Sequence, residues 1–255
     1  MKKIIATVIC FVSVFFSNAE ESSGKTGIYC GISLDGTWTS SEYQMNFTVN
    51  TANFEGCGGV VKYKEENATK FGGGIFLGCG GGNDFYCAAE VGILFNNFAL
   101  KKTFSEYEAL EIDIKDREEN PNTFLKCSYG NEYQAALKLG KVFTPDESRE
   151  IKIYGILGVA TRKASVQYDY AKSANSRPHS FEKNIHSFVP GIGMEVKLQE
   201  HCSLGVEYKY KAYQDSKSTH NFVNPDDDGD FDLEPRHYSL KTKQHNVSLR
   251  LIFNI

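Results

Sequence analysis

Six prolines in 255 residues are too few for a proline-rich linker or low-complexity chain. A cationic surplus is missing too: 28 Lys and Arg stand against 32 Asp and Glu. This excludes the clustered positive charge that a phosphate backbone requires, so no nucleic-acid partner is expected. Beyond the first sixteen residues no apolar run is long enough to cross a bilayer as a helix, and the mean hydropathy is −0.37. Cys-x-x-Cys and His-x-x-His pairs are absent, so a zinc site is not indicated. What the chain does have is 23 glycines and 33 aromatics, a composition of short strands and tight turns.

The first residues read as an export signal. Met1-Lys2-Lys3 is basic, Ile4 to Phe16 is apolar, and Ser17-Asn18-Ala19 supplies a small-x-small cleavage site before Glu20. Residues 1–19 are therefore expected to be a cleaved signal peptide and 20–255 the mature barrel. Loss of Lys2 and Lys3 leaves 26 cations against 32 carboxylates, a net −6. Cys10 follows Ile9, where lipidation would need a small residue. The mature chain keeps six cysteines, an even number that permits disulfides in an exported protein but allows fifteen full pairings.

Period-two alternation organises the rest. It is clearest over 85–95, where Phe85, Cys87, Ala89, Val91, Ile93 and Phe95 share one face. The other face holds Tyr86, Ala88, Glu90, Gly92 and Leu94. Seven further segments follow the same rule, at 28–35, 71–79, 132–139, 151–162, 188–198, 204–210 and 246–253. Connections alternate in length. Those at 80–84, 144–150 and 199–202 are tight turns, whereas those near 39–70, 96–131, 167–186 and 214–242 are long, polar and charged. Short turns at one rim and long loops at the other predict an all-β, eight-stranded antiparallel up-and-down transmembrane β-barrel with short periplasmic turns and long extracellular loops. A soluble eight-stranded barrel shares the strand number but lacks the one-sided asymmetry.

Several of these segments resemble a known group, the small eight-stranded outer-membrane surface antigens of Gram-negative bacteria. That group includes the transmembrane domain of outer-membrane protein A and the opacity-type antigens. The resemblance rests on Gly27-Ile28-Tyr29-Cys30-Gly31, Gly72-Gly73-Gly74-Ile75-Phe76-Leu77-Gly78, Ala89-Glu90-Val91-Gly92 and the closing Val247-Ser248-Leu249-Arg250-Leu251-Ile252-Phe253. It implies a monomeric, non-enzymatic surface protein of the outer membrane. The partners it implies are outer-membrane lipids and lipopolysaccharide, the outer-membrane assembly machinery, and a host or other surface ligand reached through the loops. A peptidoglycan-binding domain after the last strand is not expected.

Three groups of residues stand out as candidate sites. Glu90, Lys138, Glu195, Glu207 and Arg250 point inward at similar depth, with Lys209 beside Glu207 on the same face. Ionised groups in a narrow interior are costly unless paired, which predicts a network barring the lumen; the alternative is an unpaired lining of a wet channel. Asn224, Asp226, Asp228, Asp230 and Asp232, with Gly229 among them, have the spacing of an oxygen-rich calcium loop. Pro235 occupies the place of the closing bidentate ligand, so a solvated acidic loop tip is the alternative to calcium. Apart from calcium no cofactor is expected. Cys57 and Cys127 are the mature cysteines in long connections and are candidates for a bridge on the oxidising side, whereas Cys30, Cys79 and Cys87 have lipid-facing parity. His201-Cys202-Ser203 has the His-x-Ser spacing of a lipid deacylase but falls on a short turn. No catalytic residue is assigned. A surface anchor is thus the leading function, ahead of a small-solute channel and a lipid-modifying enzyme.

Overall fold

The structure is a computed structural model, and it describes residues 26–51, 54–103, 124–146, 149–169, 179–222 and 234–255. Nine strands occupy them: β1 (Thr26–Thr51), β2 (Phe54–Gly81), β3 (Phe85–Phe95), β4 (Phe98–Thr103), β5 (Phe124–Asp146), β6 (Arg149–Asp169), β7 (His179–Gln199), β8 (Cys202–Phe222) and β9 (Glu234–Asn254). Every pairing is antiparallel, in the order β3-β2-β1-β9-β8-β7-β6-β5-β4, and the ring closes through β3 and β5. Both β3 and β4 pair with β5 and are separated by Asn96 and Asn97 alone, so they act as one interrupted strand in an eight-stranded ring.

The short turns lie at one end, together with the start of β1 and the end of β9: Thr26 pairs with Gly81, and the Ile255 N–H donates to the Ile28 carbonyl at 2.9 Å. Gly82, in the β2–β3 turn, has φ +136°, and a Cβ there would come within 1.8 Å of the Phe85 carbonyl, so the turn needs glycine.

Outward positions carry the apolar residues. Ile28, Ile32, Leu34, Ile75, Val91, Leu157, Ile192 and Leu249 are all exposed on the outer wall. Phe85, Phe143 and Phe253 ring the turn end of this band, while Trp38, Phe71, Phe95, Tyr133 and Phe188 ring the other. From Ile28 to Trp38 is ten residues along β1, which at a rise of about 3.3 Å and a tilt of about 40° makes a band about 25 Å tall. That height matches the hydrocarbon core seen by outer-membrane barrels.

Beyond the upper ring the strands continue, and their code inverts. Tyr43, Phe98, Cys127, Tyr129, Ala164, Val166, Phe181, Ile185, Tyr213 and Leu240 face inward and pack as one apolar core. Lys163, Glu182, Lys241 and Lys243 face out and are exposed. The reversal follows from the solvent: within the bilayer the outside is lipid, and above it the outside is water. Among the described residues of this upper part β2 does not pair across to the interrupted strand, the β2–β3 ladder ending at Gly73–Phe95, and the β7–β8 ladder ends at Ser187–Tyr213. The wall therefore divides into two four-stranded sheets, β2-β1-β9-β8 and β4-β5-β6-β7, with the apolar core between them. Much of what the sequence reads as connection at 39–70, 96–131, 167–186 and 214–242 is thus strand.

Candidate functional site

The lumen is crossed by two charged belts. In the lower belt Lys138, from β5, donates to Glu90 of β3 at 2.6 Å and to Glu207 of β8 at 2.7 Å. Arg250, from β9, pairs with Glu90 at 2.5 Å and also with Glu207. Lys209 lies 2.7 Å from the second Glu207 oxygen, and the Tyr154 hydroxyl donates to Glu207 at 2.9 Å. Tyr29 donates to Glu90 at 3.2 Å. The Arg250 guanidinium rests on the Phe76 ring, 3.7 Å from its centroid. Room for these rings comes from glycine: a Cβ at Gly31 would lie 2.3 Å from the Phe76 ring, and one at Gly78 2.3 Å from the Tyr29 ring. Three cations thus share two carboxylates in a buried interior, a geometry in which each carboxylate keeps more than one partner.

Glu195 stands apart from this group. Its partner is Lys152 at 2.9 Å, which also approaches Glu150 at 3.4 Å, nearer the turn end. The expectation that one network holds Glu195 together with Glu90 and Glu207 is corrected: Lys152 on β6 sits opposite Glu195 in the β6–β7 register and reaches it first.

The upper belt went unread in the sequence. Glu132 of β5 pairs with Lys211 of β8 at 2.5 Å, receives the Tyr213 hydroxyl, and lies 3.7 Å from Arg162 of β6. Arg162 donates to the Asn96 side chain at 3.1 Å and to the Gly130 carbonyl at 2.7 Å, with the Phe98 and Tyr129 rings about it at 5.1 and 5.2 Å. Glu132 and Arg162 already had inward parity in the sequence; Lys211 and Tyr213 lay just past the segment in which alternation was sought. A third polar group centres on Asp35, which accepts from Ser33 at 2.6 Å, from Ser248 and from Asn246 at 3.4 Å. Between the belts lies a cavity of about 20 Å³, lined by Glu90, Gln134, Lys209, Ser248 and Arg250 among others, with room for about one water.

The remaining candidates separate. Cys57 and Cys127 stand in strands, not loops: Cys57 pairs with Val49 in the β1–β2 ladder and Cys127 with Val166 in the β5–β6 ladder. The Cys127 side chain is buried in the upper core; that of Cys57, and with it the expected bridge, lies outside the described residues. Asn224, Asp226, Asp228, Asp230 and Asp232 also lie outside them, as does the 1–19 signal segment. Cys30, Cys79 and Cys87 are half-buried free thiols on the outer wall. His201 is exposed on the β7–β8 turn and Ser203 is buried facing inward, so the two do not form a site.

A closed antiparallel ring, apolar outside and ion-paired within, is the construction of an outer-membrane barrel. Residues 7–253 match the family model of the outer membrane protein beta-barrel domain, and the chain belongs to that family. Its place is accordingly the outer membrane. The structure is similar to that of the outer membrane protease OmpT from Escherichia coli, at 10% identity over 90% of this chain and 97% of that one, with a TM-score of 0.51. At that identity the likeness is one of fold alone. Lower TM-scores are found for Ail, the attachment invasion locus protein of Yersinia pestis, in complex with a heparin analogue (0.34; 13% identity; 83% of this chain, 98% of that one) and for Neisserial surface protein A, NspA (0.32; 11%; 92% and 100%). A sequence search of curated proteins finds no match.

Proposed function

We propose that the protein is a non-enzymatic surface protein whose lower barrel is a closed membrane anchor and whose upper sheets and connecting segments present an interaction surface to the outside. The observation that carries this reading is the filled lumen: two ion-paired belts span it, and an apolar core lies above them. A solute path would have to cross both belts and the core. The partner is a host or other external surface, met through 104–123, 170–178 and 223–233, which join strands at the rim opposite the short turns. The mature protein begins at Glu20 after signal cleavage and works as a monomer among outer-membrane lipids and lipopolysaccharide, having been inserted by the assembly machinery.

The test is to display the intact barrel and variants lacking each of those three segments on cells that do not otherwise adhere. Binding to host cells or matrix that disappears with one of the deletions, while the barrel still assembles, supports the reading. Equal binding by intact, deleted and empty cells contradicts it. A change in the cells' lipid composition on expression would instead favour a lipid-modifying enzyme.

A further inference from the structure

Above the bilayer the two four-stranded sheets leave a seam between β7 and β8. Among the described residues, 181–186 of β7 pair with β6 alone and 216–219 of β8 pair with β9 alone. Each strand therefore turns an edge of backbone N–H and C=O groups without a ladder toward the other. One side chain crosses the gap: the Lys183 ammonium donates to the Lys217 carbonyl at 2.9 Å. The edges thus stand farther apart than the ~4.8 Å of a ladder and, with one lysine bridging them, within about two such spacings. One added strand fills that width.

Lys183 decides which strand can enter. By the alternation of β7 it belongs with Phe181 and Ile185, which are buried in the upper core, and in register it pairs with buried Ala164. Lys183 itself is exposed, because the seam gives its ammonium a way out of the core. An inward charge on an edge bars a neutral or basic strand, which would bury it uncompensated, and admits one that brings carboxylates. Lys217 on the facing edge is exposed as well. Neither lysine has a carboxylate partner among the described residues, since Glu182 and Asp215 are held by Lys163 and Lys241. The floor of the seam is the upper core, with Phe181 and Ile185 from β7 and Tyr213 from β8. Ser216, opposite the core residue Leu240, is buried with a hydroxyl that has no hydrogen-bond partner among the described groups. Apolar residues on one face of an incoming strand would rest on this floor, and acidic residues on its other face would meet the two lysines. We propose that the seam takes up one extended segment of an external partner protein, alternating apolar and acidic residues, an inference that rests on the upper sheets being an interaction surface. Because β7 and β8 are antiparallel, the segment lies antiparallel to one edge and parallel to the other.

The test uses the full chain refolded in detergent micelles and fluorescein-labelled ten-residue peptides, with binding read by fluorescence anisotropy. A peptide alternating valine and glutamate is expected to bind saturably, one to each barrel. A valine–lysine peptide should bind at least about tenfold more weakly, and so should the valine–glutamate peptide with proline at every other valine, which lacks the N–H donors a ladder needs. Lys183→Glu should weaken the valine–glutamate peptide by a similar factor. Lys243→Glu, on the outer face of β9, should leave it unchanged, with folding of both variants followed by heat-modifiable gel mobility. If Lys183→Glu does not fold, the three peptides on the unmutated protein decide. No binding of the valine–glutamate peptide, equal binding of all three peptides, or equal loss in the two variants would overturn the proposal. Cells that adhere through the connecting segments while the purified barrel ignores the peptide would overturn the added strand alone and leave the surface reading standing.

Discussion

Deleting the anion at the centre of the lower belt should cost more than deleting the cation that contacts it most closely. The belt holds Lys138, Lys209 and Arg250 against Glu90 and Glu207. Arg250→Ala leaves two cations for two carboxylates, and Lys138 still reaches both at 2.6 and 2.7 Å while Lys209 keeps Glu207. The loss is then that of charge-assisted hydrogen bonds and the Phe76 contact, about 1.5–3 kcal/mol. Glu207→Ala is different in kind. It leaves three buried cations to share Glu90, and Lys209 keeps only a long contact to Gln134, at 3.5 Å. An uncompensated buried charge costs about 3–5 kcal/mol. Urea titration of both variants in lipid vesicles, followed by tryptophan fluorescence of Trp38 and by gel mobility, gives the two midpoints. A destabilisation by Arg250→Ala equal to or larger than that by Glu207→Ala would refute the charge reasoning.

Other predictions concern the wall, the outer end and the metal. Val91→Arg places a charge on the lipid face and should destabilise refolded barrels by about 2–4 kcal/mol if it lies at the midplane, while Val91→Leu should be tolerated; equal tolerance of both contradicts the outward assignment. A Cys57–Cys127 bridge should appear in non-reducing peptide maps of exported protein, and finding both thiols alkylated disposes of it. If 224–232 binds calcium, titration calorimetry should show a heat that is lost in Asp226→Asn/Asp228→Asn; identical traces for the two proteins leave an acidic loop tip. N-terminal sequencing of outer-membrane material should begin at Glu20.

How much of this was readable in advance differs along single strands. In β9, Val247, Leu249 and Leu251 alternating with Ser248 and Arg250 announced a lipid-facing strand, and the outward parity of Val91, Ile192 and Leu157 followed from the same rule. A few residues earlier in the chain, Leu240 and Thr242 alternate with Lys241 and Lys243 in the opposite sense. A search for apolar-outward alternation reads that stretch as polar loop, because it assumes one solvent along the whole strand. The upper core was missed for this reason, whereas the Glu132–Arg162–Lys211 belt follows the lower rule and was missed because Glu132 and Arg162 stand at the very ends of their segments and Lys211 just beyond one. Depth along the lumen could be counted from the turns, which brought Glu90, Lys138, Glu207 and Arg250 together. Circumference could not, so the capture of Glu195 by Lys152 required the register. The break at Asn96–Asn97 has a sequence signal in its two adjacent asparagines, but the register shift opposite it at Gly130–Asn131 emerges only when the strands are paired.

The claim on which the anchor reading turns is that the lumen does not conduct. Planar-bilayer recordings of the unmutated, correctly folded protein should show no steady ionic current, and Glu207→Ala should stay closed as well, because the upper belt and the apolar core remain across the path. A large, steady conductance in the unmutated protein that Glu207→Ala leaves unchanged would contradict the account and make the protein a channel.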